Sequence, residues 1–306
     1  MTGYLLRRLA HVLLVLIGVS VITFLILHAL PHDPARQVAG HTASPEQVEQ
    51  VRHELGLDRP LIEQYWRYAT KLAQGDLGRS YVQRSQVSEL IMARLPATAL
   101  LMLGAIFCEL LIGLPSGAIA AFRRNRPSDQ TVMLGALLFV STPQFLVAYI
   151  LLYVFGFKLQ WLPTTPGVSF LTLILPALSL GLIGGGWYAR MMRSSIIEVL
   201  RQDYVRTARA KGLRRARIVL LHVVPNGLLP IIAMIGLDIG YFMSGIVVVE
   251  SVFGWPGIGQ LAWQAIQQID IPIIMGVTLV AACAIVLGNL LADLMAPLID
   301  PRIKLK

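Results

Sequence analysis

Residues 198–230 read EVLRQDYVRTARAKGLRRARIVLLHVVPNGLLP, the one long polar stretch in the second half of the chain, with apolar runs on both sides. It holds Arg201, Arg206, Arg209, Lys211, Arg214, Arg215 and Arg217. Val205, Ala208, Leu213, Ala216, Val219 and Leu220 fall between those charges at roughly helical spacing. The spacing predicts two short amphipathic helices joined at Gly212 and ended by Pro225, lying on a membrane surface or on a partner. The plainer alternative is a solvated basic loop that only fixes topology.

The flanking runs decide the class. Of 306 residues, 56% are hydrophobic and 14% are charged, against about 25% charged in an ordinary soluble domain. Mean hydropathy is +0.67. These values predict a polytopic all-α membrane protein. The first run, Leu9 to Leu30, follows Arg7 and Arg8 and matches a hydrocarbon core of about 30 Å. It exceeds the apolar region of a cleaved leader and reads as a retained helix. Further spans are expected at about 97–122, 131–157, 169–190, 228–249 and 273–296, which makes six.

Charge sets the expected orientation. With the N-terminus inside, the inner segments carry seventeen Lys and Arg residues and the short outer loops carry one, Lys158. That asymmetry places both termini on the cytoplasmic side. The net charge of +9 therefore reports topology, and no nucleic-acid partner is expected. Cys108 and Cys283 fall inside apolar runs and imply no disulfide framework.

The expected organisation is a cytoplasmic N-terminus and first span (1–30), an external helical loop (31–96), a five-helix unit (97–298) and a cytoplasmic tail (299–306). Loop 31–96 has eight basic and eight acidic residues, the neutral balance of an exported segment. Ser44-Pro45-Glu46-Gln47 is a helix start with a capping box, Gly56 a stop, and a second helix runs from near Pro60 to Gly75.

Several spans carry breaks. Pro143 and Pro176 lie mid-span, where proline removes a backbone bond and bends the rod. Gly184-Gly185-Gly186 permits close backbone approach. Glu109, Asp238 and Asp293 lie within spans, and an intramembrane carboxylate marks a functional position. Glu109, Asp238 and Pro143 are the candidate path residues; the alternative for Asp238 is a carboxylate paired inside the bundle. Between the last two spans, Phe253-Gly254-Trp255-Pro256-Gly257-Ile258-Gly259 demands a tight outer turn, with Trp255 and Trp263 suited to the lipid–water interface. A structural plug is the alternative for this turn.

No nucleotide-binding glycine loop, HExxH or nucleophile elbow occurs. His28, His32, His41 and His53 have no ligand spacing, and no metal is expected.

Three phrases carry a resemblance. After Gly212 come nine residues, 213–221, and then His222-Val223-Val224-Pro225, while Arg206-Thr207-Ala208 precede it. This resembles the cytoplasmic loop of ABC importer permeases: Glu-Ala-Ala, three residues, Gly, nine residues, Ile-x-Leu-Pro. The glutamate and the isoleucine are missing here. The words EVLxxDYxRTARAKG, Gly75-Asp76-Leu77-Gly78-Arg79-Ser80 and Phe253-x-Trp255-Pro256-Gly257-x-Gly259 resemble the peptide/nickel subfamily, over nearly the whole chain.

The resemblance implies a type I importer permease of the bacterial inner membrane, itself not an enzyme. It implies a second homologous permease subunit, two ATP-binding subunits that hold ATP and magnesium, and an extracytoplasmic solute-binding protein. The solute would be a di- or oligopeptide, with nickel, a metallophore or a glutathione-like compound as alternatives. Loop 191–227, with Arg206, Thr207, Ala208, Arg209, Lys211, Gly212 and Pro225, would couple to the ATPase through the apolar face of 205–216. The outer re-entrant loop 250–272 would carry Phe253, Trp255, Pro256, Gly257 and Gly259. Readings of another class are a proton-driven secondary transporter through Glu109 and Asp238, or a membrane-embedded enzyme, against which the lack of a paired catalytic set argues.

Overall fold

The structure, a computed structural model, describes residues 2–29, 33–40, 42–243 and 246–299. His32, His41 and the basic end of the tail lie outside the described residues, as do the side chains of His28 and Asp293. Every regular element among the described residues is a helix, and the only pairing of extended chain among them is one isolated bridge between Arg79 and Gln86.

The segment up to Gly75 follows its local signals. Helix α1 spans Thr2–Ala29 and α2 spans Pro34–Ala39. Helix α3, Pro45–Leu55, starts on the Ser44–Gln47 capping box and stops on left-handed Gly56. Helix α4 spans Leu61–Ala73. Asp33 caps α2 and Ser44 caps α3, each side chain accepting from a backbone N–H in the first turn, whereas α4 starts at Pro60 without a side-chain cap.

Helix α5 spans Val87–Phe122, ten residues longer at its start than the expected span, with Pro96 and Pro115 inside it. The first ten residues include Ser88, Glu89 and Arg94. Hydropathy marks only the part of a helix that crosses lipid, so a helix continuing beyond the bilayer is missed.

The expected third span is broken outright. Helix α6, Pro127–Ser141, and α7, Gln144–Leu151 with a π-helical extension to Lys158, meet at 103°. Pro143 sits at the break, as read, but the bend exceeds a kink. Helix α8 spans Phe170–Val199 and stays continuous through Pro176. It packs along α5 at very short range: a Cβ on Gly113 would strike Tyr188, and one on Gly181 would strike Cys108.

Helix α9 spans Asp203–Ala210. Next come α10 (Arg215–Ile218), a π-helical turn (Val219–Val223), α11 (Val224–Gly227) and α12 (Leu229–Met243), which run together as one rod from Arg215 to Met243. Pro225 therefore does not end the helix, and the rod starts well before 228. A wide π-helical turn precedes Pro225, with the Val224 N–H bonded to Val219 O. The outer turn consists of α13, Val247–Phe253, and α14, Ile258–Gln268; the last helix, α15, spans Ile271–Ile299.

Among the described residues, four helices are long and apolar enough to cross a membrane, and the bent α6–α7 pair makes a fifth. The apolar part of α1, Ala10–Ile26, is shorter. Helix α12 crosses α15 at Gly240 and Gly288, where either residue given a Cβ would meet the other helix's backbone.

Candidate translocation path and coupling loop

The basic loop 191–227 is built on Gly212. Its φ of +74° is the left-handed conformation that L side chains rarely adopt, and nothing lies within 4 Å of where a Cβ would stand. The constraint there is conformational, not spatial. The N–H of Gly212 donates to Arg209 O at 3.0 Å and that of Leu213 to Ala208 O at 3.3 Å, which closes α9 and turns the chain into α10.

Amphipathicity of α9 is as expected, but its apolar side is occupied. Val205 is fully buried and Ala208 nearly so, in a cluster with Ile196, Val199, Ile218 and Val223 of the same chain. Of the face expected to enter a partner, Val205 and Ala208 are covered by the chain's own α8 and α10, whereas Ala216 is exposed. Arg206, Thr207, Arg209 and Lys211 remain exposed, and Arg206 pairs with Asp203 at 2.6 Å. Beside them a cleft of about 510 Å³ is lined by Phe122, Leu200, Arg209, Leu213, Arg215 and Val219, among others. Pro225 is exposed, within α11.

The outer turn is ordered by one buried carboxylate that the sequence reading passed over. Glu250 is wholly buried. Its Oε1 accepts from Thr98 Oγ1 at 2.8 Å and its Oε2 from the Gln260 N–H at 2.8 Å. Thr98 Oγ1 in turn accepts from the Ile258 N–H at 2.8 Å. Trp255 is buried to 1% exposure and its Nε1 donates to Ala97 O at 2.9 Å. It thus pins the turn to α5 and does not sit at the lipid–water interface, whereas Trp263 is 45% exposed. Phe253 packs between the two clusters flanking Trp255 and Val147. Gly257 is extended (φ −100°, ψ −179°), so positive φ is not what requires glycine there. A Cβ on Gly257 would land on the Glu250 carboxylate, and one on Gly259 would strike the Val247 backbone. The left-handed residue of this turn is Gly254, at φ +61°.

A second missed carboxylate, Asp270, fastens the outer segment to the head of α15. It is fully buried and accepts from the Ser80 hydroxyl and from the N–H groups of Tyr81 (3.3 Å) and Val82 (3.2 Å). Burial pushes the neighbouring Tyr81 hydroxyl up to about 12, with Asp270 adding to the shift. Gln37 Nε2 donates to Gln268 O at 2.7 Å, a further tie between the same two regions.

Midway along the spans, Glu109 of α5 is 2% exposed and its carboxylate lies in the space a Cβ on Gly184 would take. It faces Asp238 of α12, while its Oε2 has no hydrogen-bond partner. Tyr188 of α8 donates to Asp238 Oδ2. The glycine run 184–186 thus lets a carboxyl group lie against helix backbone. The structure brings Glu109 and Asp238 together and adds Tyr188. Pro143 is linked less directly: Gln144 donates to the Tyr241 hydroxyl at 3.3 Å, one turn beyond Asp238. On the α6 side, Asp129 and Arg193 form a two-pronged ion pair at 2.6 and 2.8 Å that ties α6 to α8.

Sequence comparison fits this arrangement of a glycine-rich turn at 253–259, a carboxyl pair within the spans and a basic loop around Gly212. The profile described as "Binding-protein-dependent transport system inner membrane component" matches residues 113–305, and that of its N-terminal counterpart matches residues 1–102. The chain belongs to this family of importer permeases. The "Glutathione transport system permease protein GsiC" of Escherichia coli strain K12 is 39% identical to this permease over 306 residues, the full length of both. Its counterpart from Salmonella paratyphi A is 40% identical over the same length. The fold likeness extends to the MetNI methionine ABC transporter, at TM-score 0.59, with 17% identity over 69% of the permease and 97% of that chain. An amino acid ABC transporter crystallised with histidines gives TM-score 0.51, with 18% identity over 71% and 95%. The permease is a multi-pass inner-membrane protein and a transport subunit.

Proposed function

We propose that this permease forms half of the path by which a short peptide or glutathione-like solute, handed over by an extracytoplasmic binding protein, enters the cell. A second homologous permease completes the path. Two separate ATP-binding subunits, which hold the ATP and magnesium, drive it from the cytoplasmic side, where both termini lie. The observation that carries this reading is full-length similarity at 39–40% identity to glutathione permeases, with no gap in coverage at the outer turn or the inner loop.

Within it, the polar face of α9 meets the ATP-binding subunit, and rigid α9–α10 geometry passes its motion to the rod Arg215–Met243. The Thr98–Glu250–Gln260 network holds the outer turn as one body with α5. Glu109, Asp238 and Tyr188 stand beside the path. Peptides and glutathione both carry an ammonium group, for which carboxylates are natural partners.

The test is uptake by the complete transporter in proteoliposomes, with its cognate binding protein supplied. Radiolabelled glutathione or a dipeptide should accumulate with ATP, stop with vanadate and survive an uncoupler. The carboxyl pair is the observation that favours the second reading, proton-driven transport. Uptake that survives vanadate and collapses with an uncoupler would establish that reading instead.

A further inference from the structure

Helix α4 carries a wider apolar face than the chain covers. One edge of it closes on α1: the rings of Tyr65 and Tyr68 stand 5.4 and 6.1 Å from that of Phe24, and the Tyr65 hydroxyl meets Ser20 Oγ at 2.9 Å. The adjoining edge is open. Ile62 and Trp66, one turn apart, are 85% and 68% exposed, and Ala69 and Ala73 continue their row. Glu63, Arg67 and Lys71, spaced four residues apart, form a charged row on another side of the helix.

The level of this open stripe is fixed by two membrane helices. Phe24 packs in one cluster with Ile271 and Met275, the first two turns of α15. The α4–α1 contact therefore lies at the end of the last span, at the boundary of the hydrocarbon. Around Phe24 on α1, Ile22, Leu25 and Ile26 are themselves more than half exposed, so the stripe continues an apolar surface that the chain leaves uncovered. An amphipathic helix at that depth, apolar on one side and charged on another, is the form of an interfacial helix, and tryptophan is enriched at that level.

We propose that Leu61–Ala73 lies in the outer interface of the bilayer, with Ile62 and Trp66 among the acyl chains of outer-leaflet phospholipids. The outer segment is then held to the membrane through lipid, besides its ties to Gln268 and Asp270. The choice of leaflet rests on the orientation proposed above.

The test uses the complete transporter in phosphatidylcholine–phosphatidylglycerol vesicles, with Cys108→Ala and Cys283→Ala as background. A nitroxide is placed in turn at Ile62→Cys, Trp66→Cys and Lys71→Cys, and its collisions with oxygen and with a water-soluble nickel complex are compared. Oxygen should dominate several-fold at 62 and 66, and the ratio should reverse at 71. Dominance of the nickel complex at 62 and 66 would overturn the proposal and mark a water-facing docking surface. Shielding from both reagents, with a frozen nitroxide, would overturn it in favour of a protein partner. The collision ratio is blind to which leaflet is involved. Labelling of Ser44→Cys by an impermeant thiol reagent reports the orientation separately.

Discussion

Thr98 on α5 donates a 2.8 Å hydrogen bond to Glu250, 152 residues later in the chain, and both groups are buried. The same Thr98 oxygen caps the start of α14 through the Ile258 N–H. One hydroxyl therefore joins the second membrane helix to both halves of the outer turn. Leaving either partner orphaned costs about 1–3 kcal/mol, because a buried polar group without a bond pays its full desolvation.

Thr98→Val is thus expected to lower the stability of the purified complex by roughly that amount. Thermal unfolding in detergent reads it. An unchanged melting temperature would show that water replaces the hydroxyl.

Gly257→Ala should destabilise the outer turn, because its methyl would occupy the Glu250 carboxylate site. The loss should be smaller when Glu250→Ala is present, since the clash is then gone; contacting sites couple by about 0.5–3 kcal/mol in a double-mutant cycle. Strict additivity of the two changes would sever the link between these residues.

Asp129→Asn leaves Arg193 with a neutral partner at the α6–α8 contact. Breaking a pair with one member this buried costs roughly 3 kcal/mol. Hydrogen exchange in residues 127–141 should accelerate more than in α5. Equal protection in both helices would show the pair to be dispensable.

Local signals of this architecture are legible in sequence, and long-range ones are not. Ser44 and Gln47 announce a capping box because its donors and acceptors lie three residues apart. Gly212 announces a turn because left-handed backbone excludes side chains. The hydrocarbon thickness makes most spans visible, but not the wet beginning of α5 at Val87. Glu250, Asp270 and Tyr188 escape notice because their partners, Thr98, Ser80 and Asp238, are 50 to 190 residues away. The apolar side of α9 is evident from spacing, but spacing does not say what covers it. The chain's own Ile196 and Ile218 do.

Asp238→Asn and Tyr188→Phe separate a path role from a packing role. Beside a path for a cationic group, Asp238→Asn should slow uptake severalfold while assembly and melting temperature hold, and Tyr188→Phe should have the milder effect on uptake. A fall in melting temperature with uptake per folded complex unchanged would assign the pair to packing.

Coupling through the polar face of α9 is tested most directly by reversing its charge. Arg206→Glu with Lys211→Glu alters two exposed side chains, and surface changes of this kind usually shift stability by no more than about 0.5 kcal/mol. The measurement is ATP hydrolysis by the complete transporter, stimulated by the loaded binding protein, together with co-purification of the ATP-binding subunits. The double variant should fold and insert normally, hold those subunits weakly and lose the stimulated hydrolysis. Wild-type hydrolysis and wild-type co-purification would contradict the assignment of residues 203–211 as the coupling element.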